Sequence, residues 1–187
     1  MTLKGMLAGL FVASEPDSLI SRPVPVVRVL ANGFEGDKHQ GWFRQADVRA
    51  KRYPKRTLIW NSRQLSIVSE EELAMIADDL GIELIKPEWL GANMCVRGIQ
   101  DFSLLKPRTK IFIPNENGLD PEVGFYITAL NKPCIAPAKV IQEHCPEITG
   151  YEMEFVKAAV NRRGVVAVVE HGGIIRTNTV ISAVVQD

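Results

Sequence analysis

Apolar residues along the chain fall into short β-branched runs rather than long stretches of helical period. Eight runs read as strands: residues 6–12, 25–30, 64–69, 93–98, 109–114, 123–130, 164–171 and 179–185. Most are rich in Val, Ile, Leu or Phe and are bounded by Gly, Pro, Asn or Asp, which punctuate pleated segments. So many strands at short spacing predict a closed or nearly closed β structure, because closure leaves no edge of unpaired backbone groups.

Three stretches break this rhythm with helical spacing. Ser69 followed by Glu72 is a capping-box signature, Leu73, Ile76, Ala77 and Leu80 share one face, and Gly81 marks the end. Residues 151–162 place Met153, Val156, Ala159 and Val160 near helical spacing, with Gly164 beyond. A shorter helix is expected from about Ala138 to His144, stopped by Pro146. Residues 33–53 follow neither period. They are dense in polar and basic side chains and read as a long loop that carries chemistry or covers a site. No shift in composition marks a linker. Residues 1–187 are therefore expected to form one domain, mainly β with flanking helices (α+β).

Composition narrows the function classes. The chain has 187 residues, with 22 basic and 22 acidic side chains, so its bulk charge draws it to neither nucleic acid nor an anionic membrane. A local basic pocket stays compatible with that balance. The apolar start GMLAGLFVAS is too short to span a bilayer and lacks a strongly basic leader, so neither a membrane anchor nor a signal peptide is expected. Cys95, Cys134 and Cys145 are odd in number and widely spaced, without a CxxC pair. This argues against a disulfide framework or structural zinc and for a reducing, cytoplasmic setting. There is no G-x-S-x-G, P-loop or G-x-G-x-x-G, which removes the main sequence support for serine hydrolase, nucleotide-triphosphatase and dinucleotide-binding readings.

Candidate chemistry centres on ALNKPCIAPAK, residues 129–139. Cys134 lies between Pro133 and Pro137, with Lys132 and Lys139 on either side. A nucleophilic cysteine needs nearby positive charge or a helix N-terminus, and this loop offers both; a small buried hydrophobe is the other reading. Cys95 alternates with Met94 and Val96 as a core strand residue would. Cys145 has no specific support as a resolving thiol.

In GFEGDKHQGW, Gly36 permits a tight turn or close ligand approach, and Asp37 and His39 share a face if extended. That pair suits proton transfer or ligand orientation, and equally an Asx turn beside a solvated histidine. Asn93 and Arg97 can bind an anionic or amide-rich ligand, or simply finish a turn and a strand. Arg162 and Arg163 suit either a helix C-terminus or a phosphate.

Taken in order, GDKHQG, SEEEL, LGANMCVRGI, FSLLKPRTKIFI, NKPCIAPAKVI and RRGVVAVVEHGGIIRTNTVISAV resemble the MOSC domain, the C-terminal domain type of molybdenum-cofactor sulfurases. The likeness runs from about Leu7 to Val185 and is strongest to the small stand-alone bacterial members. It implies a MOSC-type β-barrel, closed or partly open. It also implies that Cys134 handles sulfur as a persulfide or ligates molybdenum, with Asp37 and His39 orienting or protonating the bound group. Gly36, Lys38, Arg44, Asn93, Arg97, Lys132, Arg162 and Arg163 become candidate cofactor contacts. The implied cofactor is the molybdenum cofactor. Pyridoxal phosphate belongs only to a separate cysteine desulfurase, which, like an acceptor molybdoenzyme, would be a partner. Two alternatives accompany this reading: a non-catalytic binding module, and a molybdenum-dependent reductase of N-hydroxylated compounds. The chain departs from the pattern at Arg108, where members often carry glycine, and at Asn178-Thr179, which replaces a Gly-Asp turn.

Overall fold

The computed structural model describes residues 1–116, 118, 121–146 and 150–186. Among these are thirteen strands: β1 (Thr2–Val12), β2 (Arg22–Val24), β3 (Val26–Leu30), β4 (Gly33–Phe34), β5 (Phe43–Gln45), β6 (Leu58–Trp60), β7 (Leu65–Ser69), β8 (Met94–Arg97), β9 (Lys110–Ile113), β10 (Val123–Leu130), β11 (Val165–His171), β12 (Gly173–Arg176) and β13 (Thr179–Val184). Three α-helices join them: α1 (Glu70–Leu80), α2 (Ile135–His144) and α3 (Tyr151–Ala158). No helix among the described residues is long and apolar enough to cross a membrane.

Seven strands close a barrel in the order β13-β9-β10-β11-β7-β8-β1, with β1 pairing back to β13 and β2 added to the outside of β1. Each of these pairings is antiparallel except β7–β8. A parallel pair needs a crossover, and α1 supplies it. The expected eight strands are all present. Alternation along them fills the barrel with Leu7, Ile67, Ile111, Phe125, Ile127 and Ile181, all buried. The outward-facing Val68 and Cys95 meet a second core under α1, α2 and α3, built from Leu73, Ile76, Ile141 and Phe155. That second core clamps the helices to one side of the barrel.

The helix ends explain several departures from expectation. Ser69 caps α1 as predicted, its hydroxyl accepting from the Glu72 N–H. The Glu72 carboxylate does not complete the box; it accepts from Ser103 N–H at 2.8 Å and Ser103 Oγ at 2.5 Å instead. Gly81 closes the helix with φ 66°, its N–H reaching Ala77 and Asp78 carbonyls. Helix α2 starts at Ile135, ahead of Pro137 rather than after it. First-turn N–H groups have no intrahelical partner, so a proline there removes nothing. Helix α3 stops at Ala158, short of Arg162, and Asn161 then turns left-handed with φ 61°. At Gly164 a Cβ would fall 2.0 Å from the Ile67 carbonyl oxygen, so only glycine lets the chain enter β11 there.

Residues 33–53 are not structureless. They hold β4 and β5, and β5 pairs with β6 as a separate two-stranded hairpin. The strands are two or three residues long, too short for periodicity to register. The two departures from the family pattern fall on left-handed turns, Arg108 at φ 80° and Asn178 at φ 63°. Left-handed backbone at Arg108 is costlier for arginine than for the glycine it replaces.

Candidate functional site

The site is a pocket of about 440 Å³ beside β7 and β11 of the barrel, within the range of small-molecule sites. Segments distant in sequence converge on it. The loop before β5 brings Lys38 and His39; β5 and its continuation bring Arg44, Asp47 and Arg49; the turn before β7 brings Asn61 and Arg63. Asn93 enters ahead of β8, Asn131 after β10, Cys134 at the start of α2, and Arg163 just before β11.

Cys134 is the N-cap of α2, in extended backbone. Its Sγ lies at the positive end of that helix and accepts from Arg49 Nη2 at 3.7 Å. The cations around the sulfur differ from those the sequence suggests. Lys132 is exposed and absent from the pocket lining. Lys139 points to Glu152, 3.9 Å away. The pocket's positive charge comes instead from Lys38 and four guanidiniums, Arg44, Arg49, Arg63 and Arg163, against the single carboxylate of Asp47.

Arg163 is only 6% exposed. Its Nη2 donates to the Leu90 carbonyl at 2.6 Å, and its Nη1 has no partner. Burial draws its pKa down to about 10, with Arg63 and Arg49 adding repulsion, and it stays charged at neutral pH. Arg63 donates to Asn131 Oδ1 at 2.8 Å. Burial and the charges of Arg49 and Arg44 bring it likewise to about 10. Arg44 Nε is also buried and unpartnered. Buried cationic donors without acceptors are costly, and an anionic ligand would satisfy them. A phosphate-bearing group therefore fits this donor set.

Behind the pocket, Asp37 anchors the wall. Its Oδ2 accepts from Ala13 N–H and Asn93 Nδ2, and its Oδ1 from His39 N–H and Nδ1, each at 2.8 Å. Burial alone would raise this carboxyl; the His39 hydrogen bond and the two backbone N–H groups outweigh it and hold the pKa below the ordinary value. An ionised Asp37 fixes the Nδ1–H tautomer of His39 and leaves Nε2 as the free acceptor. Asn61 Nδ2 ties the loop down through the His39 and Gly41 carbonyls, at 2.8 and 3.0 Å. Among the described residues no group of three or more His, Cys, Asp or Glu could hold a metal ion. A metal here would find fewer than three such side chains together among the described residues, with Cys134 one pocket-lining donor.

Of the residues singled out from sequence, the fold brings Lys38, His39, Arg44, Asn93, Cys134 and Arg163 to one pocket, with Asp37 supporting it. Gly36 turns the chain at φ 78° outside the lining. Arg97 reaches toward Glu70 at 4.0 Å, and Arg162 donates to Asp79 at 2.6 Å; neither lines the pocket. Adjacent residues project differently here: Arg162 lies on the helix side while Arg163 turns inward. Arg49, Arg63, Asn61 and Asn131 were missed. Arg49 sits within a run of basic residues and Arg63 in a turn without pattern, so neither stands out in the sequence. Asn131 stands three residues before the cysteine, a signal that could have been used.

The MOSC domain sequence profile matches residues 40–182. YuaD of Bacillus subtilis (strain 168), provisionally named for metal-sulfur cluster biosynthesis, is 36% identical over 169 residues, covering 90% of this chain and 84% of that protein. The crystal structure of Bacillus subtilis YuaD superposes with a TM-score of 0.94 at 32% identity, over 100% of this chain and 99% of its own. Crystal structures of YiiM from Geobacillus stearothermophilus and Escherichia coli share the fold at 13% identity, with TM-scores of 0.60 and 0.58. They cover 96% and 97% of this chain and 75% and 71% of their own. With the profile spanning most of the barrel, and a relative above one-third identity matching nearly end to end, the chain belongs to the MOSC domain family.

Proposed function

We propose that the arginine pocket binds an anionic, phosphate-bearing cofactor of the molybdenum-cofactor type, and that Cys134 is the thiol that carries sulfur beside it or ligates its metal. The observation that carries this reading is the Cys134 sulfur held against Arg49 at the rim of a pocket with buried, unpartnered guanidinium nitrogens. The name of YuaD, metal-sulfur cluster biosynthesis, supports the sulfur half of it.

In this reading several pocket-lining residues have a role. Arg163 and Arg63 hold the anion by charge-assisted hydrogen bonds, and Arg44 adds a further donor. Asp37 orients His39, whose Nε2 takes the proton leaving the Cys134 thiol. The resulting thiolate attacks the terminal sulfur of a donor persulfide. The donor S–S bond breaks, the donor cysteine departs as thiolate, and Cys134 becomes the persulfide. Sulfur moves with no net oxidation, so no other reactant is needed. When bound, the cofactor would supply a metal–sulfur centre that accepts the sulfur or takes Cys134 as a ligand.

Incubation with a cysteine desulfurase and cysteine, followed by persulfide trapping and peptide mass analysis, tests the carrier role. Label is expected on Cys134; label confined to Cys95 or Cys145 would sink it. Molybdenum and phosphorus analysis of protein from a cofactor-competent host tests the binding half, with retention expected in the native chain and loss in Arg163→Met.

A further inference from the structure

Around the pocket mouth lies an exposed apolar surface to which the anion-binding chemistry gives no role. In the β5–β6 hairpin Phe43 pairs with Trp60, Arg44 with Ile59 and Gln45 with Leu58. Side chains alternate faces along a strand, so Phe43, Trp60, Gln45 and Leu58 share the outward face, and Arg44 and Ile59 point inward. Phe43, Leu58 and Trp60 are 62%, 66% and 56% exposed. Val48 and Tyr53, in the loop between the strands, are exposed as well. A lone two-stranded hairpin gains little by itself, and a fully solvated apolar face on it gains nothing.

The same loop carries Lys51, Arg52, Lys55 and Arg56, all exposed. None of the four makes an ion pair within the described residues, whereas Arg44 and Arg49 share Asp47. Residues 42–60 hold six basic and one acidic side chain, a net charge of +5 in a chain whose total is 0. The cations are thus concentrated on one flap while the rest of the molecule is net acidic. The flap also contributes to the pocket: Arg44 and Asp47 line its wall, Phe43 and Gln45 of the exposed face reach its rim, and Arg49 approaches the Cys134 sulfur. Whatever seats on the outward face stands at the mouth of the pocket.

We propose that this flap is the docking surface for an acidic protein that presents a persulfide to Cys134. The proposal rests on the carrier role given to Cys134 above. Sulfur exchange requires the donor sulfur to come within bonding reach of Sγ, so a protein donor must seat around this rim. Free cations interleaved with exposed aromatic residues select an acidic rim around an apolar cleft. A lipid surface would match the same side chains, but lipid against this face would cover the opening through which the pocket exchanges its contents.

The test compares two donors: a cysteine desulfurase loaded with ³⁵S from labelled cysteine, and free cysteine persulfide. In Lys51→Glu/Arg52→Glu/Lys55→Glu/Arg56→Glu, labelling of Cys134 by the protein donor is expected to slow by roughly tenfold or more at low salt. Loading by free cysteine persulfide should be unchanged. Should the fourfold variant fold poorly, Lys51→Glu/Arg52→Glu should show the same selectivity at smaller size. Wild-type labelling by the protein donor should also weaken steeply with salt, as steering by surface charge does. A protein-donor rate within twofold of wild type in a folded variant overturns the docking surface alone. Failure of free persulfide to load wild-type Cys134 overturns the carrier role and the docking surface with it. Charge-dependent binding to phosphatidylglycerol vesicles with an unchanged protein-donor rate assigns the flap to membrane and likewise overturns it.

Discussion

Replacing Arg163 by methionine separates a binding arginine from a structural one. Buried arginines that close a salt bridge are expensive to lose, about 3–5 kcal/mol, because the partner charge is left alone. Arg163 has no carboxylate partner. It makes one hydrogen bond, to the Leu90 carbonyl, leaves Nη1 unpartnered, and faces Arg63 and Arg49. Methionine keeps the apolar stem and gives up the hydrogen bond, a loss of about 1.5–3 kcal/mol for a charged donor. It also removes an unsatisfied buried donor, worth about 1–3 kcal/mol in the opposite direction, together with like-charge repulsion. The two nearly cancel, so Arg163→Met should unfold within about 1.5 kcal/mol of wild type in urea. Anion binding has no such compensation. Losing one charge-assisted contact of about 1.5–3 kcal/mol weakens affinity roughly ten- to 150-fold. Calorimetric titration with molybdate and with phosphate reads this directly. A variant destabilised by more than about 3 kcal/mol that still binds both oxyanions like wild type would refute the reasoning, because Arg163 would then be a strut.

Asp37→Ala strands the buried Ala13 N–H and Asn93 Nδ2 and should cost about 3–5 kcal/mol, on the order of 10 °C in melting temperature, with Asp37→Asn milder. The Asp37 pKa is held below its ordinary value, so its stabilisation is full above the unfolded carboxylate pKa near about 4 and is lost as pH falls further. Urea midpoints of the wild type should therefore drop more steeply than those of Asp37→Asn below about pH 4; parallel curves would contradict this. Native-state alkylation at about pH 8, mapped by peptide mass, should modify Cys134 and spare Cys95, whose thiol burial pushes up to about 12. Arg108→Gly removes a left-handed strain of about 1–2 kcal/mol and adds about 0.5–1 kcal/mol of backbone entropy, so it should stabilise by about 0.5 kcal/mol in thermal unfolding.

What the sequence determined by itself was local or additive. Eight strands were legible because short β-branched and aromatic runs bounded by Gly, Pro, Asn or Asp mark pleated segments that pack into a core. The α1 cap and its Gly81 stop were legible because the atoms that satisfy a helix end lie within a few residues of it. The Pro-Cys loop stood out for the same reason, with a distinctive composition over a dozen residues. Tertiary structure decided which charges meet. Lys132 and Lys139 neighbour Cys134 in the chain yet turn away. Arg49 and Arg63, 85 and 71 positions distant, share the pocket with it because the β5–β6 hairpin and the turn before β7 fold against the start of α2. Arg162 and Arg163 read alike, yet in the fold one reaches outward to Asp79 and the other is buried against the Leu90 carbonyl. Coulomb and hydrogen-bond energies depend on distance through space, and a one-dimensional pattern records that distance only for close neighbours along the chain.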